Sequence, residues 1–228
     1  MIDFKDKNSV MEAVKQNGLV LRDASEDLQA DRDIVMAAVT KKGMALEYAS
    51  EDLQADRDIV MAAVTQSGMA LYYASGNLWN DREIVMAAVM EDGRALEYGK
   101  IYVNDKEIVE AAVEKNGSAL QYADPNLRKD KEIALKAIAN NPEAMRYVES
   151  PLKYDEKFVM EAAKLNRAAL DYADLKTARK VERNVEKKIE GLEGGMRKTK
   201  NKRRRQKRKT KRSKRRNNKS NKRKTNRR

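Results

Sequence analysis

The chain has 228 residues, with 49 Lys+Arg against 36 Asp+Glu, a formal net charge of +13, and neither cysteine nor histidine. That composition excludes disulfides, thiolate and imidazole metal sites, and Cys–His or Ser–His–Asp nucleophile systems, and it leaves only carboxylate and other oxygen-ligand chemistry open. Wholly apolar runs such as Ile34–Val39 fall far short of the roughly 20 residues that span a bilayer, and Met1–Asp6 lacks the apolar stretch of a secretion signal, so an intracellular protein with no membrane span is expected.

The charge is unevenly placed. Residues 196–228 hold 21 Lys+Arg and no acid, which leaves 28 basic against 36 acidic residues in 1–195. An acidic body therefore carries a cationic tail, an asymmetry characteristic of interaction tails. Down the body, Asp6, Asp31, Asp56, Asp81, Asp105, Asp130 and Asp155 recur every 25 residues, except for a 24-residue step from Asp81 to Asp105. A period of that size is the signature of stacked repeats.

In the first unit Asp23 stands where later units have tyrosine. The second and third copies are nearly identical: SEDLQADRDIVMAAVTKKGMALEYA at 25–49 and SEDLQADRDIVMAAVTQSGMALYYA at 50–74, differing only at Lys41/Gln66, Lys42/Ser67 and Glu47/Tyr72. Asp31 fits a helix N-cap, and Asp33 suits the positive end of the helix dipole. Ile34, Val35, Ala38 and Val39 share one face at helical spacing. Gly43, like Gly18, Gly68, Gly93 and Gly117, reads as the helix stop. A second short helix over Met44–Ala49 is expected to bury Leu46, Ala49 and the Tyr48 ring. Leu53 then anchors the return to the next cap. In the sixth unit Pro142 replaces the glycine after Asn140–Asn141, and in the seventh Arg167 does. Ala178, Val181, Val185, Ile189 and Leu192 form an amphipathic stripe, read as a capping helix over 175–193 that ends at Gly194–Gly195.

Two short helices per unit cannot bury their apolar faces alone, but stacked neighbours can. The expected fold is all-α: an α-solenoid of about seven 25-residue helical hairpins over 1–174, the capping helix 175–193, and a disordered basic tail 194–228.

The unit D-[KR]-[DE]-[IF]-V-x-A-A-V-x-x-x-G-x-A-L-x-Y-A-S-x-x-L-x-x-D, clearest at 31–55, 56–80, 81–104 and 105–129, resembles the repeat known as domain of unknown function forty-one-sixteen over about residues 5–175. The resemblance implies a short helical repeat, frequent in large DNA viruses of protists and algae. It implies no activity and no functional residues.

The aspartate ladder could suggest a metal or acid–base site, but capping accounts for it at about 1 kcal/mol per helix. The tyrosine ladder of Tyr48, Tyr73, Tyr98, Tyr122, Tyr147 and Tyr172 could form an aromatic groove, and inter-repeat packing is the preferred reading. Trp79 stands two residues before a capping aspartate, where Gln29, Gln54, Val103, Arg128 and Lys153 stand in other units. It reads as exposed and, with Tyr72, as a partner-contact patch, against the alternative of an isolated surface aromatic. The variable pairs before the glycine, from Gln16–Asn17 to Asn140–Asn141, would line one edge of the stack.

The tail carries the strongest functional signal: Arg203, Arg204, Arg205, Lys207, Arg208, Lys209, Lys211, Arg212, Lys214, Arg215 and Arg216, without aromatics. Such a segment cannot build a core. Extended, it would reach about 110 Å, and its charge density suits DNA or RNA backbones through counterion release. Import receptors could read the same clusters. The expected function is a non-enzymatic scaffold: the repeat surface binds an unknown protein partner and the tail binds nucleic acid non-specifically, in the nucleus, nucleolus or a viral factory. The alternative is an adaptor whose tail is only a targeting signal. No cofactor is expected, and no catalytic constellation emerges, because seven similar units spread their groups evenly whereas catalysis needs unlike groups converging.

Overall fold

The computed structural model describes residues 2–75 and 77–188, which are helical with no strand. Residues 1–178 form one compact unit. Within it, seven ten-residue α-helices follow one another: α1 Lys7–Gln16, α2 Arg32–Lys41, α3 Arg57–Gln66, α4 Arg82–Glu91, α5 Lys106–Lys115, α6 Lys131–Asn140 and α7 Glu156–Leu165. No described helix is long and apolar enough to cross a membrane.

Each aspartate of the ladder caps its helix. Asp31 Oδ1 accepts from the backbone N–H groups of Asp33 (3.0 Å) and Ile34 (3.2 Å), and Asp56, Asp81, Asp105, Asp130 and Asp155 repeat the arrangement. The carboxylate thus satisfies donors that no helical carbonyl can reach. The expected apolar face is buried: Ile34, Val35, Ala38 and Val39 have no solvent exposure, and neither do their counterparts Ile59, Val60, Ala63 and Val64.

The second element of each unit differs from the expectation. In the first five units it is a 3-10 helix of five or six residues that begins at the glycine, as at Gly43–Tyr48, Gly68–Tyr73 and Gly93–Glu97, and in the last two it begins at Pro142 and Arg167. The glycine does not stop the α-helix. That role falls to the residue before it, which is extended, with φ between −137° and −154° at Asn17, Lys42, Ser67, Asp92, Asn116, Asn141 and Asn166, and among the described residues no glycine has positive φ. The glycine is needed for room. A Cβ on Gly43 would collide with the Ala63 carbonyl oxygen of the next α-helix, and one on Gly18, Gly68, Gly93 or Gly117 would meet Ala38, Ala88, Ala112 or Ala137 in the same way. Glycine and alanine together let the 3-10 helix of one unit lie against the α-helix of the next.

Two rows result. The α-helices pack in series, the 3-10 helices pack in series, and each 3-10 helix also contacts its own α-helix and the following one. The exception is the 3-10 helix Pro142–Tyr147, which lies less closely against α7. Proline stands there in place of glycine, and its ring occupies the space the close approach requires.

The loops form a third seam. Backbone N–H groups of Ser50, Ser75, Asp124 and Glu149 donate to the carbonyls of Gln29, Gln54, Val103 and Arg128 one unit earlier, at 2.8–3.2 Å. At the 24-residue step the Tyr102 hydroxyl donates instead to the Asn80 carbonyl at 2.6 Å.

The helix expected over 175–193 is helical at 175–188 and is capped by Asp174, which accepts from the Thr177 backbone N–H and hydroxyl, both at 2.9 Å. Ala178 of the expected stripe is buried, whereas Val185 is 39% exposed. Ile189, Leu192 and the tail 194–228 lie outside the described residues.

Candidate functional site

Three sets of surface groups bear on function. The first is built on the caps. From Asp6 to Asp105 the residue after the aspartate is a cation that reaches forward one unit and grips the next cap: Lys7 to Asp31 (2.6 Å), Arg32 to Asp56 (3.2 Å) and Asp58 (3.0 Å), Arg57 to Asp81 (2.8 Å) and Glu83, Arg82 to Asp105 (2.9 Å) and Glu107 (2.6 Å), and Lys106 to Asp130 (2.9 Å). The run breaks at α6, where Lys131 pairs with Glu161 at 2.6 Å. The Lys7 ammonium holds the Asp31 carboxyl below the usual carboxylate range, and the Arg82 guanidinium does the same to Asp105. Among the described residues no three acidic side chains converge on one point. The aspartates spend their lone pairs on helix caps and cations. The D-[KR]-[DE] triplet carried this ladder in the sequence, but its cation was not read as reaching the neighbouring unit.

The second set surrounds Trp79. The side chain is half-buried rather than exposed, and its indole N–H donates to the Leu71 carbonyl at 2.8 Å. In the two preceding units the equivalent glutamines do the same job. Gln29 Nε2 donates to Leu21 (3.1 Å), and Gln54 Nε2 donates to Leu46 (3.1 Å) and Ala49 (3.1 Å). Tryptophan here is a glutamine substitute that ties the loop to the 3-10 helix. The shared donor at a shared position was the signal.

The third set is the tyrosine row on the 3-10 helices. All six rings are half-buried. The Tyr122 hydroxyl donates to Glu97 Oε2 at 3.0 Å, and burial followed by the nearby Glu97 charge pushes its ionisation up. Tyr73 is pushed up likewise, by burial and then by Glu47. Tyr72 differs: it is 55% exposed, its ring stands edge-on to Tyr73 at 4.9 Å, and it tilts against Tyr98 at 5.3 Å. The structure therefore groups Tyr72 with Tyr73 and Tyr98.

The variable pairs are less free than a partner-selecting edge requires. Asn17, Asp92, Asn116, Asn141 and Asn166 cap the 3-10 helices through their side chains. Asn140 bridges to the previous unit, accepting from Gly117 N–H (2.8 Å) and donating to the Glu114 carbonyl (2.9 Å). An open groove of about 530 Å³ runs between α4 and α5 along Met86, Met90, Glu107, Glu110 and Glu114. Arg82 and Lys136 neutralise its carboxylates. The clusters from Arg203 to Arg216 lie outside the described residues.

The ten-residue capped helix, the glycine contact and the tyrosine recur with the period of one known repeat model, described as Domain of unknown function (DUF4116), which matches residues 6–54, 56–99, 105–153 and 135–176. The chain belongs to this family. The first three DUF4116 matches each take in two consecutive units, in agreement with a contact pattern that closes only between neighbours. No curated protein and no solved structure matches the chain.

Proposed function

We propose that this DUF4116 protein is a non-enzymatic scaffold. Its repeats form an α-solenoid of about seven units that presents a protein-binding surface, and its basic tail attaches it to nucleic acid without sequence specificity. The observation that carries the reading is the charge division, with 21 Lys+Arg and no acid in 196–228 beside an acidic excess in 1–195. A solenoid supports the binding role because consecutive units display equivalent positions in rows along a surface. The even spread of acidic groups supports the non-catalytic role. The adaptor reading, in which the tail serves import alone, rests on the same basic clusters.

The test is affinity for duplex and single-stranded nucleic acid as a function of salt, for the full chain and for residues 1–195. Engagement of about eight phosphates gives a log–log slope near −7 for duplex DNA, lost on truncation. Negligible binding of the full chain at physiological salt would remove the nucleic-acid role and leave the adaptor.

A further inference from the structure

We propose that Tyr72, Tyr73 and Tyr98, flanked by Glu47 and Glu97, form a docking site for an arginine-bearing extended segment of a protein partner. This rests on the reading of the repeat array as a protein-binding surface and supplies the chemistry of what it binds.

The argument starts from one position seen in several chemistries. At several units the residue just before the row tyrosine contacts the tyrosine of the next unit. Where it is Glu97, it accepts the Tyr122 hydroxyl at 3.0 Å. Where it is Arg146, the guanidinium lies over the Tyr172 ring at 4.7 Å from the centroid. Arg22 lies near the Tyr48 hydroxyl rather than over its ring. A tyrosine face of this row therefore accepts a guanidinium, and near the C-terminal end of the row the chain supplies one itself. In the middle the residue at this position is a ring instead, and the nearby Arg94 is held by Asp92 at 2.6 Å. Tyr72 is 55% exposed and extends the aromatic surface over Tyr73 and Tyr98. A tyrosine ring carries a negative face that attracts a cation, and three adjoining rings offer more than one such face.

The carboxylates complete the site. Glu47 lies one unit before Tyr72 in the row and Glu97 one unit after, both exposed. Among the described residues neither forms an ion pair, in contrast to Glu107, Glu110 and Glu114, which Arg82 and Lys136 neutralise. Packed helices stand 8–10 Å apart, so carboxylates two units apart are separated by about 18 Å. An extended chain covers that distance in about six residues. A strand with arginines near both ends of such a stretch and one between them meets a carboxylate, the rings and the second carboxylate in turn. Arginine is favoured over lysine because its planar guanidinium stacks on rings and sheds water more readily.

The test uses the full chain and a labelled Arg-Gly-Ser repeat peptide about twelve residues long, followed by fluorescence anisotropy at low salt. The informative variant is Tyr72→Glu, because glutamate is the natural residue at the same position in the nearly identical preceding unit. If plain charge attraction held the peptide, this added carboxylate would tighten binding. If the ring holds it, binding weakens by roughly three- to thirty-fold, the span of a cation–π contact, while Tyr72→Phe stays within about two-fold and the lysine version of the peptide binds more weakly than the arginine one. Unchanged or tighter binding by Tyr72→Glu overturns the proposal and leaves the array as a binder with its site elsewhere. Absence of peptide binding also overturns it, without touching the tail's affinity for nucleic acid.

Discussion

Gly68→Ala puts the contact between units to the test. An added Cβ would collide with the Ala88 carbonyl oxygen and come within 2.9 Å of the Asp92 nitrogen and 3.1 Å of the Ala88 carbonyl carbon. All three are backbone atoms of the next unit, so no side chain can swing aside, and α4 has to retreat from the 3-10 helix Gly68–Tyr73. Overpacking of this kind costs about 1–3 kcal/mol. Working the other way, alanine restricts the unfolded chain and gains about 0.4–1 kcal/mol where its backbone conformation is allowed, and Gly68 does not have positive φ. The contact term is larger, so a net loss of about 1–2 kcal/mol is expected. Urea unfolding followed by circular dichroism measures the total. Amide exchange locates it, with protection falling first in α3 and α4. The control is Arg167→Ala, at the equivalent position of the last unit, expected to change stability by no more than about 0.5 kcal/mol. If Gly68→Ala is as stable as the parent, the glycine is only a chain-turning residue and the account of the two rows is wrong.

Two further outcomes follow from hydrogen bonds and charge. Trp79→Gln restores the residue of the two preceding units and keeps a donor for the Leu71 carbonyl. Trp79→Leu removes the donor and leaves the Leu71 carbonyl with the Ala74 N–H alone, a cost of about 0.5–1.5 kcal/mol. The order Gln above Leu in melting temperature is required, and the reverse order would show that indole packing, not the hydrogen bond, sets the site. The ion-pair ladder should appear in acid titration. Asp31 and Asp105 ionise below their ordinary range because Lys7 and Arg82 bind the carboxylate form. A lowered folded-state value means stability present above the unfolded value near 3.9 and lost as pH falls through the folded value. Asp105→Asn should therefore be less stable than the parent at neutral pH, with the gap closing as pH drops below about 4. A gap that persists undiminished at the lowest folded pH would assign the loss to capping alone.

The repeat, its caps and its apolar face were legible in the sequence because each depends on neighbours within one helix turn or one helix face. Asp31 caps and Ile34, Val35, Ala38 and Val39 bury as their spacing requires. What was not legible depends on the next unit. Gly43 has the signature of a helix stop, and only the Ala63 carbonyl opposite it reveals a spacing requirement. Trp79 at a polar position suggests exposure, and only the common acceptor at Leu21, Leu46 and Leu71 shows that glutamine and tryptophan do one job there. Tyr72 reads from the sequence as part of a patch with Trp79, but its companion Tyr98 comes from the lateral packing of consecutive units.

The seams between units bear on how the chain finds its structure. Every pair of elements in substantial contact belongs to one unit or to two consecutive ones, and the side-chain and backbone bonds that cross a seam typically join residues 21–26 apart. No part of the array waits for a distant partner. Loop closure is equally short at each seam, folding can nucleate at any well-matched pair such as the twin units around Asp31 and Asp56, and growth proceeds outward by repeating one search. Adding a unit lengthens such a protein without making any single step of its assembly slower.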